Sequence, residues 1–182
     1  MNESAQPLSA QLAVSDFELF NVPVQFSQDR TQLDARWKDL QREAHPDKFA
    51  SQGTAAQRVA MQWSVRINEA YQRLKDPMRR AAYLCELGGA SIQAENNTAM
   101  PAAFLLQHME WREAMDDATD AAALEALMDD VQQAHTAALQ QCAQLIDTAH
   151  DLPAAAQQVR GLMFIEKFLR DIEARIDHLD AA

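Results

Sequence analysis

His45-Pro46-Asp47-Lys48 places an imidazole, a rigid turn-former and a carboxylate within three residues. An imidazole can serve as a general base. Nothing nearby in sequence marks an oriented acid–base site, so Asp47 reads as a second contact to whatever partner meets His45. Pro46 cannot continue a helix and fixes its own φ. It also pushes His45 out of the α region. The spacing therefore predicts a helix that exits at His45, with Pro46 and Asp47 in an exposed turn.

The element that must position this turn lies upstream. A helix is predicted from Asp29 or Arg30 to Ala44, with Asp29 as N-cap. Leu33, Trp37, Leu40 and Ala44 recur on one face. Lys38 and Arg42 project away from that face, on the side of His45, and Lys48 extends the positive strip. The plainer reading is a solvated helix face followed by a proline turn.

Other chemistry is sparse. No nucleophile elbow, phosphate loop or metal-spaced His/Cys cluster occurs. His108, His135, His150 and His178 are scattered and read as structural. Cys85 and Cys142 form no Cys-x-x-Cys, which argues against a zinc ribbon and fits buried thiols in a reducing cytoplasm.

The 182 residues are 48% hydrophobic, with 4 Gly and 6 Pro, a balance that suits helices. No apolar run approaches the roughly 20 residues of a membrane helix. Met1 to Val14 lacks signal-peptide character and reads as a disordered lead. Residues 1–90 carry 11 Lys/Arg and 11 Asp/Glu, and residues 91–182 carry 5 and 16, so the net −11 resides wholly in the second half. Such asymmetry suggests two modules with different partners and disfavours nucleic acid as a target.

The apolar Asp16-Phe17-Glu18-Leu19-Phe20 precedes a turn at Asn21-Val22-Pro23. After the His-Pro-Asp turn, a helix is predicted over 54–75, with Val59, Trp63, Ile67, Ala70, Tyr71 and Leu74 inward. Asp76-Pro77 stops it. A shorter helix runs over 78–87 and ends at Gly88-Gly89. Residues 15–88 thus form a four-helix module with an antiparallel central pair. Residues 89–98 read as a linker. Three further helices, over 101–117, 121–148 and 153–179, form an antiparallel bundle in residues 99–182. The second carries Leu124, Leu127, Met128, Val131, Ala138, Cys142, Leu145 and Ile146 inward. The third carries Val159, Leu162, Leu169, Ile172, Ile176 and Leu179. Gly161 inside it costs about 1 kcal/mol against Ala and implies a close approach.

Some bundle residues lie off the core stripe. Phe164 is about 130° from the stripe centred on Leu169 and Ile176, and should face solvent. Phe104, Trp111 and Met115 share a face with His108. Leu105, Leu106 and Met109 project elsewhere, beside Glu110, Glu113, Asp116 and Asp117. An apolar patch rimmed with acids suggests a protein-binding site. Alternatively, Leu105, Met109 and Phe164 widen the core, although burying the acids unpaired would be costly.

These features together resemble the J-domain co-chaperones, and within them the HscB type of iron–sulfur cluster assembly, over roughly residues 15 to 180. Phe17-Glu18-Leu19-Phe20-Asn21-Val22-Pro23 resembles the J-domain opening. Leu40-Gln41-Arg42 followed by His45-Pro46-Asp47-Lys48-Phe49-Ala50 resembles its second helix and signature loop. Ile67-Asn68-Glu69-Ala70-Tyr71 and Leu74-Lys75-Asp76-Pro77 resemble its third helix, and Arg80-Ala81-Ala82-Tyr83-Leu84 the start of its fourth. No Gly/Phe-rich or zinc-binding region comes next. Instead Ala103-Phe104-Leu105-Leu106-Gln107-His108-Met109-Glu110-Trp111-Arg112-Glu113 resembles the first helix of the HscB bundle, and Phe164-Ile165-Glu166-Lys167-Phe168-Leu169 its last.

The resemblance implies an all-α fold, an N-terminal J-domain plus a C-terminal three-helix bundle. It implies a co-chaperone, not an enzyme, with no cofactor. His45, Pro46, Asp47, Lys48, Lys38 and Arg42 would meet the DnaK-type chaperone HscA and stimulate its ATPase. Leu105, Leu106, Met109, Glu110, Glu113, Asp117 and Phe164 would hold the scaffold protein IscU. Ala44 stands where many J-domains carry an aromatic, and Leu106 and Asp117 stand where relatives carry Met and Glu. The cysteine-bearing extension of mitochondrial relatives is missing, which points to a bacterial cytoplasmic form without membrane or nucleic-acid partners. The alternative function is a structural helical adaptor without chaperone coupling.

Overall fold

The computed structural model describes residues 14–93 and 100–180. All regular structure among them is helical, and the chain divides into two compact units, residues 1–80 and 81–182. The expected lead lies outside the described residues except for Val14, and so do residues 94–98 of the expected linker.

The first unit opens with α1 (Asp16–Phe20). Ser15 accepts the Glu18 N–H at 3.2 Å while the Glu18 carboxylate accepts the Ser15 N–H at 2.8 Å, a closed capping box. Helix α2 (Arg30–Glu43) is capped by Asp29, which accepts the Thr31 N–H at 2.8 Å. A 3₁₀ segment, Pro46–Gln52, leads to α3 (Thr54–Lys75), and α4 (Pro77–Leu87) comes after Asp76. Asp76 is extended, as the proline after it demands.

Helices α2 and α3 are antiparallel, and their cross-links show the direction. Arg30 reaches the Tyr71 hydroxyl at 3.2 Å, the Trp37 indole N–H donates to Asn68 at 2.9 Å, and Gln41 reaches the Ser64 carbonyl at 3.3 Å. Phe17, Phe20, Leu33, Leu40, Ile67 and Leu74 fill the space between α1, α2 and α3. The α3 stripe starts one residue later than expected. Ala60 is buried and Val59 is 37% exposed.

Two buried polar residues carry no sequence signal. Asp16, with no exposed side chain, sits between Arg66 at 2.6 Å and Arg73 at 2.7 Å, so ion pairs tie α1 to α3. Buried Arg80 donates to the carbonyls of Phe26 and Leu74. The division between units falls just after it, inside α4, whereas the sequence places the end of the first module at residue 88. The reason is that the rest of α4 packs in the second unit. The Cys85 thiol faces the Leu152 carbonyl at 3.8 Å, and a Cβ on Gly88 would meet Leu152 Cδ1.

The second unit continues with α5 (Ala102–Asp117), α6 (Ala121–Ala143) and α7 (Leu152–Asp180). Helix α6 runs on through a π turn, Gln144–Thr148. Its inward residues Leu124, Leu127, Val131, Ala138, Cys142 and Ile146 are buried as the periodicity predicts, while Met128 and Leu145 lie at the edge. On α7 the buried face differs from the expected one. Ala155, Ala156, Val159, Leu162, Ile165, Phe168 and Ile172 are buried, whereas Leu169, Ile176 and Leu179 are half-buried. Helix α7 meets α4, α5 and α6, so its core face is wider than one stripe and rotated toward Ile165 and Phe168.

Candidate functional site

The turn at His45 is built from both sides. Ala44 ends α2 fully buried, and the Ser64 hydroxyl of α3 donates to its carbonyl at 3.3 Å. Gln41, one turn earlier, bonds Asn68 at 2.8 Å. These contacts fix the helix exit before the chain turns. No sequence spacing could find them, since they join residues far apart in the chain. His45 is extended, as the following proline requires, and Pro46 opens the 3₁₀ segment.

The His45 ring caps that segment. Its Nδ1 accepts the Asp47 N–H at 3.3 Å, which leaves Nε2 to carry the proton of the neutral ring. The Asp47 carboxylate lies 3.5 Å from the same nitrogen but is 91% exposed. No buried base–orienter pair is formed, so the arrangement suits contact rather than proton transfer. Lys38, Arg42 and Lys48 are exposed, as expected, and half-buried Pro46 anchors the turn. Arg42 is partly neutralised by Asp39 at 3.2 Å.

Behind the strip, Tyr71 stacks on Trp37 with centroids 4.9 Å apart and donates its hydroxyl to Asp34 at 2.7 Å. That bond lowers the Asp34 pKa and, with burial, raises that of Tyr71. Arg30 bonds Asp34 at 2.7 Å and is itself shifted up by it.

In the second unit, α5 buries Trp111 and leaves much of its surface wet. Leu105, Leu106 and Met109 are 49%, 61% and 67% exposed, and Phe164 is 37% exposed. They do not widen the core. Glu110, Glu113 and Asp117 are exposed on the same helix. Spacing alone leaves open where Phe164 stands relative to α5. Its ring lies 6.2 Å from that of Phe104 and 6.3 Å from His108, so α7 brings it beside α5.

His108 is the residue sequence reasoning passed over. It is half-buried among Phe104, Trp111, Phe164 and Phe168. Burial holds its pKa below the ordinary histidine value, Arg112 pushes it the same way, and Asp171 opposes. Its spacing from Phe104 and Trp111 was the available signal. Gly161 is also accounted for. A Cβ there would lie 3.3 Å from Met100 Cε and 3.5 Å from the Phe104 ring, at the floor of a groove of about 460 Å³ between α5, α6 and α7.

Cys85 and Cys142 are buried free thiols, pushed up to about 11 and about 12, first by burial. Among the described residues, no group of three His, Cys, Asp or Glu is placed to hold a metal, and no helix is long and apolar enough to cross a membrane.

Residues 100–173 match the family described as the HSCB C-terminal oligomerisation domain. The Co-chaperone protein HscB homolog of Burkholderia thailandensis is 48% identical over 169 residues, which cover 91% of this chain and 96% of that protein. The homolog of Burkholderia multivorans is 47% identical over the same shares. The structure of chaperone HscB from Vibrio cholerae superposes with a TM-score of 0.78 at 35% identity, covering 91% of this chain and 99% of that one. Human co-chaperone protein HscB shares the fold, with a TM-score of 0.84 at 23% identity over 90% of this chain and 82% of the human one.

Proposed function

Because the chain belongs to the HscB family of co-chaperones, we propose that it is a two-part adaptor that binds the scaffold protein IscU and delivers it to the DnaK-type chaperone HscA. Residues 15–88 act as the J-domain and residues 99–182 as the client-binding bundle. The adaptor works in the bacterial cytoplasm, catalyses no reaction itself and requires no cofactor.

The observation that carries this reading is the exposed face of α5 and α7. Leu105, Leu106, Met109 and Phe164 stay wet although a bundle core lies one helix face away. Covering them with a partner removes apolar surface from water at about 25 cal/mol per Å². Glu110, Glu113 and Asp117 form a charged rim that favours a partner with basic groups beside its apolar contact.

On the other module, the capped turn presents His45, Pro46 and Asp47 to HscA, and these three residues couple the contact to ATP hydrolysis. Lys38, Arg42 and Lys48 steer association with an acidic chaperone surface. Joining both modules in one chain raises the effective concentration of client at the chaperone.

The test is the HscA ATPase rate with the wild-type chain, Asp47→Asn and His45→Gln. Loss of stimulation by both variants, with IscU binding retained, is the expected outcome. Undiminished stimulation would leave only a structural adaptor.

A further inference from the structure

Four aromatic side chains of the second unit converge on one imidazole. From the His108 ring, Phe168 lies 5.3 Å, Phe104 6.2 Å, Phe164 6.3 Å and Trp111 6.4 Å between centroids. The other close pairs are Phe104 with Phe164 at 6.2 Å and Trp111 with Phe168 at 6.0 Å. His108 is thus the ring shared by all four others. Three of the five rings come from α5 and two from α7. Helix α5 buries Trp111 and little else, so its hold on α7 runs largely through this cluster. Phe164 meets α5 through Phe104 and His108.

We propose that His108 is a positioning residue: its neutral ring holds Phe164 in the docking face, and its protonation loosens that face in mild acid. The inference rests on the docking role proposed above for Phe164. Without His108, Phe164 keeps one of its two ring contacts to α5, and more rotamers open to a side chain already 37% exposed. A partner that needs one orientation of Phe164 would then bind less tightly.

The charge state matters because the site is lined with rings. A neutral imidazole packs against them as an aromatic. An imidazolium needs water or a free ring face. Arg112 of α5 already stands 6.0 Å over the Phe168 ring, and it repels a second cation. Asp171 of α7 attracts one, so the charges that bear on its titration stand on α5 and α7. Burial and Arg112 together outweigh Asp171, so the packed ring resists protonation. Above the ordinary histidine value of about 6.5 both packed and loosened forms are neutral, and the cluster has its full strength. As pH falls through that value and then through the lower packed value, the loosened form takes the proton first and gains population.

The test is the affinity of the full-length chain for purified IscU between pH 5.5 and 8, for wild type, His108→Phe, His108→Ala and Phe164→Ala. His108→Phe keeps a ring and removes the titration. It should match wild type at pH 7.5 and outperform it progressively toward pH 5.5. Comparing the two at each pH cancels titration within IscU. His108→Ala should bind roughly threefold to tenfold more weakly at pH 7.5, the scale of one or two ring contacts. Identical pH profiles for wild type and His108→Phe would overturn the proposal, as would undiminished binding by His108→Ala. If His108→Ala loses helicity, the His108→Phe profile decides alone. Full affinity of Phe164→Ala sinks the docking role itself, an outcome separate from either.

Discussion

The backbone N–H of Asp47 donates to Nδ1 of His45 at 3.3 Å, so the histidine side chain caps the turn while the Asp47 carboxylate, 3.5 Å from the same nitrogen, stays exposed. The two neighbours therefore differ in what they do for the fold. His45→Ala should cost about 0.5–1 kcal/mol, as for loss of a helix cap. Asp47→Asn should change stability by less than about 0.5 kcal/mol, because its carboxylate is exposed. Urea midpoints of the two variants check this. Equal costs would mean the cap is not formed in solution.

Asp16 is held between Arg66 and Arg73 with no exposed surface. Removing one partner of a buried ion pair costs about 3–5 kcal/mol, and Arg73, itself 40% exposed, places this case at the lower end. Asp16→Ala should therefore lower stability by about 3 kcal/mol. A loss under about 1 kcal/mol in chemical denaturation would show that α1 is not anchored by these pairs.

Gly161 faces the flexible end of Met100 and the Phe104 ring. An added methyl fits if Met100 Cε gives by a few tenths of an ångström. Gly161→Ala should raise stability by about 0.5–1 kcal/mol through helix propensity. Gly161→Leu should push Phe104 away, weaken IscU binding and leave most helicity intact. A lower melting temperature for Gly161→Ala would mean that the end of Met100 cannot give way.

Asp34 and Tyr71 share a hydrogen bond with opposite pH consequences. The folded Asp34 pKa is lowered, chiefly by the Tyr71 hydroxyl, so its stabilisation is present above the unfolded value near 4 and lost as pH falls through the folded value. The folded Tyr71 pKa is raised, chiefly by Asp34, so its stabilisation is present below about 10 and lost as pH rises through the folded value. Tyr71→Phe should flatten both limbs of the stability profile. A Tyr71→Phe profile parallel to wild type at both ends would exclude the coupling.

Leu105 of α5 and Phe164 of α7 are both exposed apolar side chains, and Phe164 stands beside α5 through Phe104 and His108. Leu105→Ala with Phe164→Ala should lower IscU affinity by more than about 1 kcal/mol, as for central interface residues. Leu105→Ala alone should change folding stability by less than about 0.5 kcal/mol, since half of that side chain is already wet. Calorimetric titration and circular dichroism separate the two effects. Loss of helicity in the double variant would return these residues to the core.

Much of this was legible before any fold was seen. Helix α3 runs over the residues its periodicity and caps predict, because Gly53 and Asp76-Pro77 punctuate it locally. The exit of α2 at His45 is dictated by one proline. Exposure of Leu105 and Met109 comes from helical spacing against Trp111. Such features depend on neighbours within a turn or two, and spacing carries that information.

The rest depended on elements meeting. Asp16 looks like part of an apolar lead until α3 brings two arginines to it. His108 looks like one of several scattered histidines until α7 sets Phe164 and Phe168 against it. The α7 core face could not be centred from its own residues, because its width is set by how many helices press on it. From the sequence alone come the elements, the His45-Pro46-Asp47 turn and the segregation of acid into the second half. Only the tertiary structure decided which polar groups are buried together and which apolar groups stay wet, since burial belongs to pairs of surfaces and not to any one helix.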